Sequence, residues 1–257
     1  MPTAAIIIAA RNAAAWLPHC LDSIARQRLP NGWNTRILVG IDACLPTLAA
    51  VDRLFIPNLM VHFFPNHVGP YVIFNTLSYS DLSDVLVRFD ADDVMLDGYL
   101  ESQLSFIDGP LTPAIIQTWS VYVDAQLQPI SARLANGSST HEDGRRSGAS
   151  DGQFLFTRSV WNRLGGFQPW WCHGDTEFMR RAKYSGTPHR VVPQYLYLRR
   201  IHRASLTQSK ATGYRSRVRE FYAQHIAQAD FRYACGIPPE RVYPAMSAFF
   251  RVTVQSN

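Results

Sequence analysis

Three carboxylates lie within four residues in the stretch Asp90-Ala91-Asp92-Asp93, directly after the run Val85–Phe89. That run has the composition of a short buried strand. Carboxylates placed so close together repel one another and raise each other's pKa unless a cation neutralises them. Their oxygen atoms suit Mg²⁺ or Mn²⁺, and open α/β sheets bind ligands at the carboxyl ends of their strands. The stretch therefore predicts a divalent metal site or, as the alternative, an acidic turn that caps the next helix.

The segments that would position these carboxylates alternate between strand and helix patterns. In the first half of the chain, apolar runs of strand length are followed by apolar residues at helical spacing. This β-α-β-α order indicates a mostly parallel sheet covered by helices, which is an α/β fold. The predicted strands are 4–10, 36–41, 59–64 and 85–89, and the predicted helices are 14–27, 46–55, 70–80 and 96–107.

The second half of the chain is less regular. It contains one long polar segment, 136–152, which has almost no apolar residues and predicts a functional or mobile loop. Patterns for further elements flank it. The predicted strands are 114–123, 153–156 and 194–201, and the predicted helices are 175–185 and 214–227.

Composition limits the classes of protein to which the chain can belong. Hydrophobic residues make up 47% of the 257 residues and charged residues 18%, which is typical of a globular protein with a substantial core. No apolar run approaches the roughly 20 residues that span a bilayer. The four cysteines are widely spaced, without a metal-binding pattern, and a reduced, cytoplasmic setting is expected.

Charge is unevenly distributed between the two halves. Residues 1–128 have a net charge of −6 and residues 129–257 a net charge of +11, and most basic residues of the second half are arginines. Arginine favours planar, bidentate contacts with phosphate or carboxylate. An acidic half beside an arginine-rich half suits a phosphorylated ligand held with a metal. Nucleic acid is not expected as a partner, because no groove-reading or base-stacking motif accompanies the basic residues.

Several stretches, in order along residues 4–207, resemble the family 2 glycosyltransferases. The first, Ile6–Gln27, is similar to the strand, turn and helix that open that family, with alanine and arginine where a proline and an aromatic residue are usual. The resemblance places Ala10, Arg11 and Asn12 at the nucleotide, and Arg11 is able to stack on its base.

The next two stretches resemble further parts of a nucleotide site. Asp42 stands at the end of a predicted strand, where the family has an Asp pair, and the resemblance implies that it binds the base; the alternative is a helix cap. Gly69 and Asn75 match a family helix, and both are expected near the donor. A glycine at a helix start can let the backbone approach a phosphate, although a plain turn is equally consistent.

The acidic stretch itself looks like the Asp-x-Asp signature of the family. By this resemblance Asp92 ligates the metal, Asp90 contacts the ribose or donor sugar, and Ala91 lies beside the donor. Asp93 is left without a firm role. A later stretch, Tyr197–Ser205, is similar to an element that closes over the donor. It makes His202 a second metal ligand, with a purely structural histidine as the alternative. Arg199, Arg200 and Arg203 are candidate partners of the diphosphate.

The segment from Gly165 to Glu177 resembles the family's Gly-Gly-Phe element and the acidic helix start that follows it. Asp175 then corresponds to the usual general base, while Gly174 replaces a glutamate; the alternative is that Asp175 caps the helix, and it can do both. Glu177 is expected either to orient this base or to face solvent. A carboxylate at a helix start is stabilised in its ionised form. Acceptor contacts are expected from the residues just before this helix, which are Trp170, Trp171, His173 and Gly174.

The resemblance implies a single Rossmann-like domain of the GT-A type with a C-terminal helical extension. Residues 1–210 would form the transferase domain, with a nucleotide-binding half at about 1–110 and an acceptor-binding half at about 111–210; residues 211–257 would form the extension. The implied reaction is inverting transfer from a nucleotide sugar, with UDP as the default, using Mn²⁺ or Mg²⁺. The implied acceptor is a glycan, a glycolipid or a lipid-diphosphate-linked glycan. The basic helix 214–227, with Arg215 and Arg219 one turn apart, is a candidate contact with an anionic membrane.

Two other functions fit parts of the same sequence. Asp90 and Asp92 also fit the nucleophile loop of haloacid-dehalogenase-type phosphatases, but that family needs a lysine, and only Lys183 and Lys210 exist. A non-catalytic module that binds nucleotide sugars is the other alternative, because several family positions are substituted.

Overall fold

The structure is a computed structural model and describes residues 1–109, 111–135 and 152–252. The chain alternates strands and helices through its first half, as the sequence predicts. The strands are β1 (Thr3–Ala10), β2 (Asn34–Asp42), β3 (Leu59–Phe64), β4 (Val85–Asp90), β5 (Val94–Met95), β6 (Ile115–Val123), β7 (Pro129–Arg133), β8 (Phe154–Thr157), β9 (His189–Arg200) and β10 (Phe250–Val252). The helices are α1 (Leu17–Ala25), α2 (Leu45–Val51), α3 (Pro70–Ser80), α4 (Tyr99–Ser105), α5 (Arg158–Leu164), α6 (Gly174–Tyr184) and α7 (Arg217–Ala234).

One sheet holds all ten of these strands, in the order β10-β3-β2-β1-β4-β8-β6-β9-β5, with β7 paired to β6. Strands β3, β2, β1 and β4 are parallel neighbours, and the second half of the sheet mixes parallel and antiparallel pairs. The expected mostly parallel α/β sheet is therefore confirmed, with antiparallel strands confined to the second half and the edge.

Alternation along β1 explains why helices cover both faces of the sheet. Ile6 and Ile8 belong to a core cluster with Leu17 and Leu21 of α1, whereas Ile7 packs in a second cluster with Phe74 of α3. Side chains in a strand point alternately to the two faces, so a fully apolar strand must be buried on both.

The parallel register brings the functional loops together. Ala10 at the end of β1 pairs with Ile41 of β2, and Ala9 pairs with Asp90 of β4. The residues that follow these three strands therefore meet at one edge of the sheet, which is where open α/β sheets bind ligands.

The C-terminal region contains more than a helix. Helix α7 begins at Arg217, after Ser216 accepts a hydrogen bond from the Arg219 N–H at 3.2 Å. The predicted helix start at residue 214 is therefore wrong, because Ser216 caps the helix, and Arg215 lies before it rather than one turn from Arg219. Beyond α7 the chain returns to the sheet, where β10 pairs with β3. Within the described ranges, no helix combines the length and apolar character needed to cross a membrane.

Four short elements escape the sequence patterns: β5, β7, α5 and β10. Strand β9 also begins at His189, five residues earlier than predicted, because a register shift beside Thr118 accommodates Pro193. Proline lacks the N–H that a ladder needs and is tolerated at such irregularities. The predicted polar loop 136–152 lies outside the described residues except for Gly152.

Candidate active site

Asp92 and His202 meet, although 110 positions separate them in the sequence. His202 Nε2 lies 2.8 Å from Asp92 Oδ2. The loop after β4 is held against β9 by Asp93, which accepts hydrogen bonds from the Tyr197 hydroxyl and, at 2.8 Å, from the Arg200 N–H. The sequence left Asp93 without a firm role. In the structure Asp93 is buried, and its hydrogen bonds hold the Asp92 loop close to His202.

Trp16 packs against the His202 ring, and Arg200 in turn packs against Trp16; the sequence did not single out either residue for this purpose. Trp16 lies 5.1 Å from the His202 ring, measured between ring centroids, and the Arg200 guanidinium stacks 4.6 Å from the Trp16 ring centroid. Arg200 also donates to the Asp92 carbonyl oxygen at 2.8 Å. Arg200 therefore holds both Trp16 and the Asp92 backbone beside His202.

Asp92 and His202 offer atoms that a divalent metal can bind. Carboxylate oxygen and imidazole nitrogen both occur as Mn²⁺ ligands. In the structure these two atoms lie at hydrogen-bond distance from each other, 2.8 Å. In the parts of the chain that the structure describes, no group of three or more His, Cys, Asp or Glu side chains could hold a metal alone. Such a pair suits an ion that completes its shell with substrate phosphates and water.

Asp175 lies in the first turn of α6, as predicted. Its Oδ1 accepts the Thr176 N–H at 2.8 Å, and the residue before the helix, His173, turns the chain sharply with φ of +66°. Burial raises the pKa of Asp175, but Arg88 together with hydrogen bonds from Thr176 and Tyr71 lowers it more, so the net pKa lies below its usual value. The carboxyl group is therefore ionised at neutral pH and able to accept a proton.

Arg88 links the two acidic elements of the site. Its Nη2 lies 3.0 Å from Asp90 Oδ1 and 3.8 Å from Asp175 Oδ2, and its side chain is only 5% exposed. Burial raises the pKa of Asp90 to about 6 against the opposing effect of Arg88. Sequence reasoning missed Arg88; the available signal was a charged residue inside an otherwise apolar buried strand.

The position of α6 depends on a buried ion pair. Arg181, 2% exposed, donates to both carboxylate oxygens of Glu177 and to the carbonyl oxygens of Leu164 and Gly166, at 2.7 and 2.6 Å. The idea that Glu177 orients the base or faces solvent is wrong, because Arg181 neutralises it in the core. The pair instead ties α6 to the Gly165–Gly166 turn.

Asn75 holds the Gly-Gly-Phe turn. Its side chain is fully buried, donates to the Phe167 carbonyl at 2.9 Å and accepts the Phe167 N–H at 2.8 Å. Both polar atoms of the amide are used in these bonds, and the expected donor contact stays a prediction.

Arg11 and Asp42 lie at adjoining strand ends. The Arg11 guanidinium donates to the carbonyl oxygens of Asp42 and Ala43, at 2.7 and 3.2 Å, and remains exposed. The Asp42 side chain, 4% exposed, accepts hydrogen bonds from the N–H groups of Val68 and Gly69 and pairs with His67. Asp42 therefore anchors the loop before α3, and a contact with a base stays a prediction.

The other expected donor contacts differ in how accessible they are. Ala10 and Ala91 are buried, so only their backbone is available, and Asn12 is exposed with φ of +53°. Arg199 donates to the Tyr122 hydroxyl at 2.7 Å and stacks on its ring, whereas Arg203 is exposed.

The expected acceptor residues divide into exposed and packed groups. Trp170 stacks on Tyr222 of α7, with ring centroids 4.5 Å apart and planes at 6°, and Gly174 is buried against the Tyr71 ring. Both pack against other parts of the protein, and the expected acceptor contacts stay predictions. Trp171 is 39% exposed and covers Gly69. The Trp171 ring occupies the space into which a side chain at Gly69 would project, and the approach of a phosphate to the Gly69 backbone stays a prediction.

His173 opens onto a cavity beside the proposed base. The cavity has a volume of about 360 Å³ and lies between the starts of α6 and α7. Tyr214, Arg215, Arg219 and Glu220 are among its lining residues. A wall with an aromatic ring, two arginines and one glutamate is a suitable place for part of a polar acceptor.

Comparison with known proteins identifies the family. The model of Glycosyl transferase family 2 matches residues 5–206, which is most of the chain. The chain belongs to glycosyl transferase family 2. This membership confirms the resemblance found in the sequence and places the protein among the glycosyltransferases, which removes the basis for the phosphatase alternative.

Solved structures show the same fold. Residues 1–349 of TarS from S. aureus align with a TM-score of 0.61 and 16% identity over 78% of this chain and 60% of that one. The same fragment in complex with UDP-GlcNAc gives a TM-score of 0.63 and 13% identity over 93% and 74%. The mannosyltransferase PcManGT from Pyrobaculum calidifontis, in complex with GDP-Man and Mn²⁺, gives 0.62 and 16% over 88% and 63%.

These likenesses confirm the predicted GT-A fold and leave the substrate open. The chain spans about 60% of the length of the TarS fragment. No curated protein matches the sequence significantly.

Proposed function

We propose that this protein is an inverting, metal-dependent glycosyltransferase that uses Asp175 as its general base. The observation that supports this most directly is the meeting of three sequence-distant elements at one sheet edge. Asp90 ends β4 and Asp92 follows it, Asp175 lies in the first turn of α6, and His202 follows β9. Arg88 lies between the first two of these elements, and Asp92 meets His202 of the third. A base on one side and a diphosphate site on the other are the parts that direct displacement requires.

Each residue of this cluster has a separate task in the proposed reaction. Asp175 accepts the proton of the acceptor hydroxyl as that oxygen attacks the anomeric carbon. Asp90 binds the ribose or the donor sugar. With Asp175 assigned to the acceptor hydroxyl and Asp90 to the donor, a base opposite the leaving group favours single displacement with inversion.

Asp92 and His202 would hold the Mn²⁺ or Mg²⁺, together with oxygens of the donor diphosphate. The bound ion supplies neutralisation of the leaving diphosphate as a Lewis acid. Arg203, exposed beside His202, is positioned to add positive charge near the same leaving group.

UDP is the nucleotide that we propose for the donor. Arg11 lies exposed at the strand ends where a base would bind, and a guanidinium can stack on a base. TarS and PcManGT, which share the fold, were solved with UDP-GlcNAc and with GDP-Man and Mn²⁺ respectively. A screen of nucleotide diphosphates therefore needs to include GDP.

The acceptor is proposed to enter beside Trp171 and the His173 cavity. The wall of Tyr214, Arg215 and Arg219 suits a glycan that carries a negatively charged group, such as a lipid-linked diphosphate. Contact with an anionic membrane through the exposed Arg215 and Arg217 is a related proposal. Vesicle co-sedimentation tests this contact. If binding to anionic vesicles is unchanged after Arg215→Glu and Arg217→Glu, the membrane contact is refuted.

A donor assay tests the proposal. The purified protein is incubated with UDP-sugars, Mn²⁺ and an acceptor panel, and release of UDP and transfer of sugar are measured. Asp175→Asn is expected to lower kcat by about 10² to 10⁴ with little change in donor binding. The matched control is Asp22→Asn, an exposed acid on α1. Transfer by Asp175→Asn at near the wild-type rate would show that the base is misassigned.

A non-catalytic nucleotide-sugar module is the competing function. It predicts donor binding with neither transfer nor hydrolysis across the same panel. The ionised Asp175 beside a donor site speaks against it, since a binding module has no need for a positioned base.

A further inference from the structure

The Arg88 guanidinium occupies an unusual position for a charged group. It projects from β4, a strand whose other residues are apolar up to Asp90, and its side chain is 5% exposed. It lies over the Phe74 ring at 4.9 Å and the Tyr71 ring at 5.9 Å, measured from Cζ to the ring centroids. Burying a cation is costly unless the cation is paired.

The pairing of Arg88 is directed entirely at the proposed site. Its Nη2 faces Asp90 and Asp175, at 3.0 and 3.8 Å, while its buried Nε and Nη1 have no hydrogen-bond partner among the described residues. A guanidinium selected for fold stability alone would be expected to use these donors. Arg88 instead joins Asp90, the carboxylate on the donor side, to Asp175, the proposed base.

We infer that Arg88 is a positioning residue for glycosyl transfer, holding Asp175 ionised and at a fixed distance from Asp90. The inference rests on the proposed function and adds a residue to the same site. Arg88 acts through Asp175 and Asp90, which are the groups that contact substrate.

The surroundings of Asp175 leave Arg88 as the main source of positive charge. Tyr71 from α3 is neutral at working pH, because burial raises its pKa well above the usual value. His173, immediately before α6, has a lowered pKa because of burial and Arg219, so it is neutral at neutral pH. Asp90 from β4 adds negative charge. Without Arg88, burial and Asp90 would both favour the protonated form of Asp175.

Replacement of Arg88 by methionine and by lysine tests the inference. Arg88→Met keeps the apolar stem and removes the cation; Arg88→Lys keeps a cation but loses the planar fork. For Arg88→Met we expect kcat to fall about 100-fold or more with donor KM changed less than about fivefold. The acid limb of the kcat–pH profile should move up by about one unit or more, because an opposite charge at this range lowers a carboxyl pKa by about 1 to 3 units. Arg88→Lys should restore part of both effects.

Controls separate this role from folding and from the proposed function itself. Arg36→Met removes an exposed arginine of β2 that pairs with Asp81 outside the site, and it should leave kcat and the pH profile unchanged. If Arg88→Met does not fold, Arg88→Gln, which removes the charge but keeps a polar side chain, takes its place: an unshifted acid limb with kcat within threefold of wild type overturns the inference. If the wild type is active and Arg88→Met has the same kcat–pH profile, the inference is overturned. If the wild type is inactive on every donor, the proposed function is refuted instead.

Discussion

Gly152 provides a sharp test of the geometry of the cluster. Its φ is +78°, and a β-carbon added to it would lie 2.9 Å from Arg88 Nη1 and 3.2 Å from both Asp175 Oδ2 and Asp90 Oδ2. A methyl group at this point would meet the positioning residue, the base and the donor-side acid at once. We therefore predict that Gly152→Ala damages catalysis far more than it damages stability.

The magnitude follows from two separate effects. A left-handed conformation costs an alanine about 1–2 kcal/mol, which in a domain of this size lowers Tm by about 2–8 °C. The contact with Arg88 at 2.9 Å is shorter than carbon tolerates, and the two contacts at 3.2 Å are tight, so Arg88 must move and the two carboxylates must shift by a few tenths of an ångström. Since a misplacement of about 1 Å can cost 100-fold in rate, we expect kcat to fall by about tenfold or more.

Gly236→Ala is the matched control. Gly236 also has positive φ, at +87°, but nothing lies within 4 Å of the added β-carbon. Both variants should lose similar stability in a thermal melt, and only Gly152→Ala should lose transfer activity. Equal activities, within twofold, would refute the reasoning that Arg88, Asp90 and Asp175 must keep their present spacing.

Three further variants test the structural assignments. Arg181→Met should destabilise the protein by about 3–5 kcal/mol, measured by denaturant unfolding, because it leaves the Glu177 carboxylate buried and unpaired. Asn75→Leu should lower the free energy of unfolding by about 2 kcal/mol or more, because it leaves the Phe167 backbone groups without partners, and it should leave donor KM unchanged. A raised donor KM would show that Asn75 contacts the donor. Trp171→Ala should raise acceptor KM at nearly constant Tm, and a large loss of Tm with unchanged KM would show that its role is packing.

The fold was largely predictable from the sequence because its main elements are local patterns. The strand β3 and the helix α3 have the bounds that periodicity predicts, since each is bordered by turn or cap residues. The elements that the patterns missed are short or depend on distant pairing. Strand β5 has two residues, and β10 exists because β3 offers a free edge.

The site was predictable only in part. Asp92 and His202 came from the family resemblance, and their contact across 110 positions supports that route. Polar residues on helices were harder to place, because residue type alone does not show whether Asn75 or Glu177 faces a ligand or a buried partner. Arg88 and Trp16 act through neighbours that are distant in sequence, and no spacing rule connects them to Asp175 or His202.

The central claim is that the cluster at the end of β4 binds a nucleotide diphosphate through a divalent metal. The most direct test is the thermal shift produced by UDP, and by GDP, with and without Mn²⁺, for the wild type and Asp92→Asn. At a ligand concentration of about 100 times Kd, binding adds about 2.7 kcal/mol, which corresponds to a rise in Tm of about 5–10 °C. We predict this rise for one nucleotide, only with Mn²⁺ and only in the wild type. An equal rise without metal, or in Asp92→Asn, would contradict the account.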